Sequence, residues 1–299
     1  MINGLALGSI YALIALGYTM VYGVLRFINF AHGDVFMLGA YVGLYSGRYL
    51  SGKMHAEPSI LLAVSVLAIS MVVCAIVGVV IERLAYAPLR SRPRLTVLIT
   101  AIGVSLFLEY GGQQFFGAGP HFFEPILPIY EVHTGALSIT SNQLIVLSVT
   151  VVLLIALTFI VLKTKMGTAM RALSFNPTAA SLMGINNNVI ISFTFGLGSA
   201  LAAAAGILWA INYPSINPLM GLLPGIKAFV AAVLGGIGNI PGAALGGLIL
   251  GVTETLVVGY SDRLHIPPSY RDAVAFVVLI VILLFKPSGL LGKAGSEKV

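Results

Sequence analysis

The chain has 299 residues, of which 58% are apolar and only 9% charged, with a net charge of +6. A soluble domain carries about 25% charged residues, and no soluble globule of this length could hide so much apolar surface behind so few charges. Disorder, a collagen-like chain, a disulfide scaffold and a nucleic-acid binder are excluded by the same figures, which leaves a polytopic membrane protein. The single cysteine, Cys74, lies inside an apolar stretch and can form no internal disulfide.

A helix that crosses about 30 Å of hydrocarbon needs roughly 20 apolar residues. The first such run is Leu5–Val24, behind a start, Met1-Ile2-Asn3-Gly4, that lacks the basic segment of a cleavable signal peptide. Asn29-Phe30-Ala31-His32-Gly33-Asp34 then interrupts two apolar runs. Asp34 directly precedes a helix opening at Val35 and is expected as its N-cap, while a lone His32 reads first as a satisfied structural histidine. A polar break at membrane depth is nevertheless tolerated only against protein or a water-filled cavity. That makes Asn29, Phe30, His32 and Asp34 candidates for lining a translocation path. Val35–Leu50 is a short span, Ile60–Ile81 a full one and Leu95–Tyr110 short again. The 33 residues from Gly111 to Gln143 contain no Lys or Arg, and Leu144–Leu162 nearly completes another span.

The loop 163–188 carries a short helix with both ends written in. Asn176 suits the N-cap, Pro177 the first helical position, and Gly184 the residue just past the end. So short a helix is unstable in water unaided, so Ala180, Leu182 and Met183 should rest on this chain's own spans or in a partner's groove. Val189–Ile211 is a full span. Ile226–Val258, 33 residues broken by Gly235-Gly236-Ile237-Gly238-Asn239-Ile240-Pro241-Gly242, is too long for one span and short for two. A broken helical hairpin over 226–258 fits it. Only Lys227 and Glu254 fall well within a predicted span, and an antiparallel hairpin brings them to similar depth, where they are expected to pair; Glu254 could instead face a substrate. Gly242-Ala-Ala-Leu-Gly246 and Gly247-Leu-Ile-Leu-Gly251 let the second arm approach other helices closely. Ala273–Phe285 closes the series before a polar tail.

Eleven basic residues fall on one side of this arrangement: Arg26, Arg83, Arg90, Arg92, Arg94, Lys163, Lys165, Arg171, Lys286, Lys293 and Lys298. Four fall on the other, Arg48, Lys53, Arg263 and Arg271. The positive-inside rule makes the first side cytoplasmic. Tyr45, Tyr49, Tyr110, Phe115, Phe116, Trp209, Tyr213, Tyr260 and Tyr270 cluster at predicted outer ends, as interfacial rings do. The expected fold is therefore all-α: a polytopic membrane protein of one domain, 1–299, with about eight transmembrane helices including broken or re-entrant ones. Its N-terminus lies outside and its C-terminus in the cytoplasm. Asn29–Gly43 and Pro224–Gly238 share a polar residue before a small-residue helix, the mark of a faint inverted repeat.

The chemistry of enzymes is missing from the chain. It has no phosphate-cradling G-x-x-x-x-G-K-[ST], no G-x-S-x-G, no H-E-x-x-H and no Cys/His cluster at metal spacing. No catalytic residue, metal ligand or cofactor site is therefore assigned. Two classes remain besides a passive permease: a carrier driven by protons or sodium, which should bury more carboxylates than Glu254, and an intramembrane enzyme around His32 and Asp34, which lacks a nucleophile.

Gly167-Thr-Ala-Met-Arg171-Ala172, followed by Asn176-Pro177, Ala179-Ala180 and Met183-Gly184-Ile185-Asn186, resembles the coupling loop of branched-chain amino acid ABC-transporter permeases of the LivH type. The same family is matched by Asn3-Gly4…Gly8-Ser9…Tyr11-Ala12-Leu13, by Ile28–Asp34 and by Ala232–Gly242, in order from residue 1 to about 290, while the loop 111–143 matches no pattern. The resemblance implies import of leucine, isoleucine and valine by alternating access; close relatives move urea, other amides or other amino acids. It implies a related permease chain as a heterodimer partner, two cytoplasmic ATPase subunits that bind ATP and Mg, and a soluble solute-binding protein outside. It places the chain in the bacterial inner membrane and assigns the ATPase-coupling helix to Arg171, Asn176, Pro177, Ala179, Ala180, Met183 and Gly184.

Overall fold

The computed structural model describes residues 1–54, 57–90, 92–128, 130–134, 137–264 and 267–292. Lys293 and Lys298 lie outside the described residues. The long apolar runs are α1 (Ile2–Leu25), α3 (Ile60–Ile81), α4 (Arg94–Phe116), α5 (Ser141–Lys163), α8 (Asn187–Asn212), α10 (Ile240–Gly259) and α12 (Arg271–Phe285). With short extensions at α3 and α12, these are the seven helices among the described residues long and apolar enough to cross a membrane. α2 (His32–Met54) is as long but less apolar, and α9 (Leu222–Gly235) is apolar but only 14 residues long. The chain is thus an all-α, multi-pass membrane protein. The cytoplasmic-loop candidates are α6 (Lys165–Phe175) and α7 (Pro177–Leu182); α11 (Ser261–Leu264) is a single turn.

Local chemistry sets the boundaries. Ser59 caps α3 by accepting from Leu62 N at 3.2 Å, and Thr140 N donates to Gln143 Oε1 at the head of α5. Past Ile81 the third span continues through a wider π-turn (Glu82–Tyr86) and then a tighter 3-10 turn (Ala87–Leu89) that includes Pro88, so it reaches further than the apolar run alone. α4 ends at Gly117, whose φ of +88° favours glycine. Among the described residues four short strands fill the end opposite α7: β1 (His121–Phe122) pairs antiparallel with β4 (Ser215–Ile216), and β2 (Glu131–Thr134) with β3 (Leu137–Thr140).

The helices pack as two related sets. α1 lies along α10, α8 and α9; α8 lies along α3, α1 and α2; α2 touches α3 and α4; α9 touches α10 and α12. Exchanging α1 with α8, α2 with α9, α3 with α10 and α4 with α12 turns that arrangement into itself. The two sets run in opposite directions. Arg26, just past α1, donates to Ser174 O of α6 at 3.3 Å, so α1 finishes at the end of the bundle where α8 begins. This is the geometry of an inverted repeat, with α5, α6 and α7 between its halves. The segments expected to be related, 29–43 and 224–238, supply α2 and α9.

Glycine permits the closest crossings. On α10, Gly242 and Gly246 face Gly235 and Ala231 of α9, while Gly247 and Gly251 face Ala12 and Gly8 of α1. A Cβ at any of these four positions would meet backbone, so the two small-residue steps serve two different neighbours. The C-terminal end of α9 is closed by the chain that follows α12: Leu290 N donates to Leu234 O at 2.8 Å and Leu291 N to Gly235 O at 3.0 Å. Asn239, the N-cap of α10, donates through its Nδ2 to Leu291 O at 2.7 Å.

Candidate functional site

α1 ends at Arg26, in the left-handed region with φ 54°, and the chain folds straight back into the bundle. α2 therefore starts inside the protein: His32 Nε2 lies 3.2 Å from Ile14 O, about 16 Å before the end of α1 by helical rise. Gly17 makes room for the imidazole, which also meets Tyr18 edge-on at 4.7 Å between ring centres. α9, about 21 Å long, is too short to span about 30 Å and also begins within the bundle. The two beginnings touch. Gly33 of α2 sits against Gly221 and Gly225, and a Cβ on any of the three would meet the backbone opposite. Asn29 is buried and accepts from Tyr86 OH at 2.6 Å, and Phe30 is half-buried beside it.

Asp34 departs from expectation. The helix opens at His32, not Val35, because Asp34 N and Val35 N already bond to Ala31 O at 3.2 and 3.1 Å. Asp34 is thus inside the first turn, where the helix dipole favours its charge, and its side chain reaches across to α4. There Ser105 Oγ donates to Asp34 Oδ2 at 2.5 Å. Glu109 lies one turn further along α4 and is buried as well.

Lys227 and Glu254 are brought together: Nζ lies 2.9 Å from Glu254 Oε2, and both side chains are buried. Lys227 is not the first residue of its arm, since α9 starts at Leu222. The pair also has two companions that hydropathy did not reveal. Asp272 Oδ1, at the head of α12, lies 2.6 Å from Lys227 Nζ, and Tyr11 OH of α1 donates to Glu254 Oε2 at 3.1 Å. Four helices, α1, α9, α10 and α12, are therefore tied by one ammonium group and its acceptors.

A further buried charge was hidden by its place at the edge of an apolar run. Glu82 is fully buried; Arg90 pairs with its Oε1 and Ser192 Oγ donates to its Oε2 at 2.7 Å. Arg90 also donates to Asn188 Oδ1 at 2.5 Å, so the turn after α3 is fastened to the start of α8. Lys227 and Glu254 are the charges expected well within a span; Glu109 of α4 joins them there, and Asp34 and Glu82, beside predicted spans, are buried as well. Each lies near an apolar boundary or in a helix whose partner is far along the chain.

At the same end, α7 runs from Pro177 to Leu182 with Asn176 as its N-cap, accepting from Thr178 N and Ala179 N at 3.0 Å each. Gly184 takes φ +83° just beyond it. Ala180 is buried, and Asn187 Nδ2 donates to Pro177 O at 3.0 Å. The rest of the apolar face is turned outward: Phe175, Leu182 and Met183 are 85%, 83% and 84% exposed. Arg171 is not on this helix. It belongs to α6 and donates back to Val161 O, one of the open carbonyls at the end of α5.

Residues 1–283 match the family described as branched-chain amino acid transport system / permease component. The chain is 43% identical to the high-affinity branched-chain amino acid transport system permease protein BraD of Pseudomonas aeruginosa, covering all of this chain and 97% of that one. It is 44% identical to the corresponding protein LivH of Salmonella typhimurium, over all of this chain and 96% of the relative. A probable branched-chain amino acid transport permease protein LivH of Methanocaldococcus jannaschii is 30% identical over 95% of this chain and 89% of its own length.

Proposed function

The chain belongs to the branched-chain amino acid transport permease family, and from that premise we infer how its parts serve transport. It is the membrane permease subunit of an ABC importer for branched-chain amino acids, leucine, isoleucine and valine. The observation that carries this is the full-length identity of 43–44% to such permeases, with no phosphate-binding loop of its own. ATPase and binding-protein partners follow from membership of such a transport system.

The finer assembly is our proposal. ATP and Mg are bound by two ATPase subunits at the α7 end. A related permease chain completes a heterodimer, and a soluble solute-binding protein docks at the opposite end. The α7 end is cytoplasmic, the N-terminus is outside, the spans number about eight, and the membrane is the bacterial inner membrane. Support for this orientation comes from the ends of the helices. Arg26, Arg83, Arg90, Arg92, Lys163, Lys165, Arg171 and Lys286 all lie at or beyond helix ends on the α7 side, whereas Arg48, Arg263 and Arg271 lie on the other.

In this reading α7 is the handle on which the ATPases pull. Leu182, Met183 and the neighbouring Phe175 fill an apolar groove of an ATPase subunit, and the buried Ala180 and capped Asn176 keep the helix rigid while force passes into α8. The translocation path runs past the meeting of α2 and α9, with Asn29, Phe30, His32, Asp34 and Glu254 as its candidate residues. Closure of the ATPases shifts α7 and α8, and the inverted halves alternate access around that point. An ion-coupled carrier is not separated from this reading by buried carboxylates, which are more numerous than expected; the full-length relatives separate them. A urea or amide permease is the second reading within the family's relatives. Proteoliposomes containing this chain, its companion permease and ATPases should take up labelled leucine only with ATP and loaded binding protein. ATP-independent uptake by this chain alone would overturn the reading.

A further inference from the structure

An amino acid crosses the membrane carrying an ammonium group, and a charge at the bilayer centre costs at least about 2.5–3.5 kcal/mol unless the protein meets it. The structure contains two ways of holding charge at depth. Around Lys227 the cation is matched by Glu254 and Asp272. Among the described residues no cation pairs with Asp34. Asp34 is 2% exposed and its one side-chain partner is the Ser105 hydroxyl. Glu109 is 7% exposed and makes no hydrogen bond or ion pair among the described residues.

The geometry directs Glu109 at Asp34. Ser105, Glu109 and Gly112 share one stripe of α4 by their spacing of four and three. Ser105 bonds Asp34 of α2, and Gly112 sits against Met37, the next turn of α2. Glu109 lies between them on that stripe. By helical rise Ser105 and Glu109 stand about 17 and 23 Å from the start of α4, a helix about 35 Å long. This is mid-membrane, beside the Gly33–Gly221 contact where α2 and α9 begin. With Asp34 buried and Glu109 largely so, and no counter-charge beside them among the described residues, both can be ionised only when a cation meets them. The three groups also offer three acceptors, which matches the three N–H bonds of a primary ammonium. A metal ion fits less well, since among the described residues no group of three or more His, Cys, Asp or Glu side chains could hold one.

We propose that Asp34, Ser105 and Glu109 form the subsite that receives the α-ammonium group of the amino acid in transit. The inference rests on the permease reading and deepens it. It is tested on the complete complex in proteoliposomes, reading leucine moved per ATP hydrolysed. Leucine uptake by the unmodified complex tests the permease reading; the ratio of variant to unmodified complex tests the subsite. Glu109→Gln should lower the leucine-to-ATP ratio about tenfold, the loss of one charge-assisted contact, and Glu109→Asp should restore part of it. Asp34→Asn should behave like Glu109→Gln. If Glu109→Gln does not assemble, Ser105→Ala is read instead and should lower the ratio about threefold. Unchanged ratios in all of these would overturn the subsite, as would a parallel fall of uptake and hydrolysis that Glu109→Asp does not relieve. Uptake by the unmodified complex that requires sodium, or an imposed proton gradient, would assign the carboxylates to an inorganic cation and overturn it equally.

Discussion

α7 and α8 are neighbours in the chain and differ in almost everything else. α8 is enclosed by α1, α2 and α3, with Gly206 against the backbone of Phe36 and Gly39 of α2 against that of Ala203. α7 has only Ala180 buried and holds Leu182 and Met183 in the open. Burial of apolar groups and close backbone contact stabilise the first; the second is held by end caps and one buried methyl group. The difference separates two properties that ordinarily travel together: disturbing the enclosed helices should lower stability and transport alike, whereas disturbing α7 should cost transport alone.

The largest effect is expected in the interior. Lys227→Met leaves Glu254 and Asp272 without their cation, which should destabilise the protein by about 3–5 kcal/mol and lower the Tm of the purified complex; Lys227→Met combined with Glu254→Leu should recover much of the loss. Ala180→Pro removes the bond from Ala180 N to Asn176 O and should disrupt α7 by about 3 kcal/mol. Here uptake should fail while membrane insertion and Tm stay unchanged, and a fall in Tm equal to that of Lys227→Met would break the distinction. Gly247→Leu, which forces α10 away from Ala12, should cost about 1–3 kcal/mol and appear in Tm before it appears in coupling. The smallest effect is Asn176→Ala, about 1 kcal/mol of helix stability, seen as a lower ratio of leucine moved to ATP hydrolysed and reversed by Asn176→Asp.

The spanning helices were largely legible in the sequence because length and apolarity are local properties. Ile60–Ile81 is bounded as the hydropathy predicts, and the caps at Asn176 and Gly184 stand where their residue types put them. The pairing of Lys227 with Glu254 was legible for the same reason: one hairpin fixes the depth of both. What escaped was set by partners distant in sequence. Nothing near Glu82 announces Ser192, nothing near Asp34 announces Ser105, and Asp272 looks like an ordinary residue at the head of a helix. Each lies at or beside an apolar boundary, where a charge can be solvated or buried with equal sense until the tertiary neighbour is known. Glu109 is hidden in the sequence because the apolar run closes beside it at Tyr110; the helix continues to Phe116 and carries it inward.

The closure of α9 by Leu290 and Leu291 imposes an order on biosynthesis. As α9 leaves the ribosome its last carbonyls have no partner, and the residues that supply one are made only after α10 and α12. Until then those carbonyls are left to water, and the segment after α12 replaces that water when it returns. A fusion joined directly at Phe285 would leave that seam unsewn, whereas one joined beyond Gly292 would leave it intact.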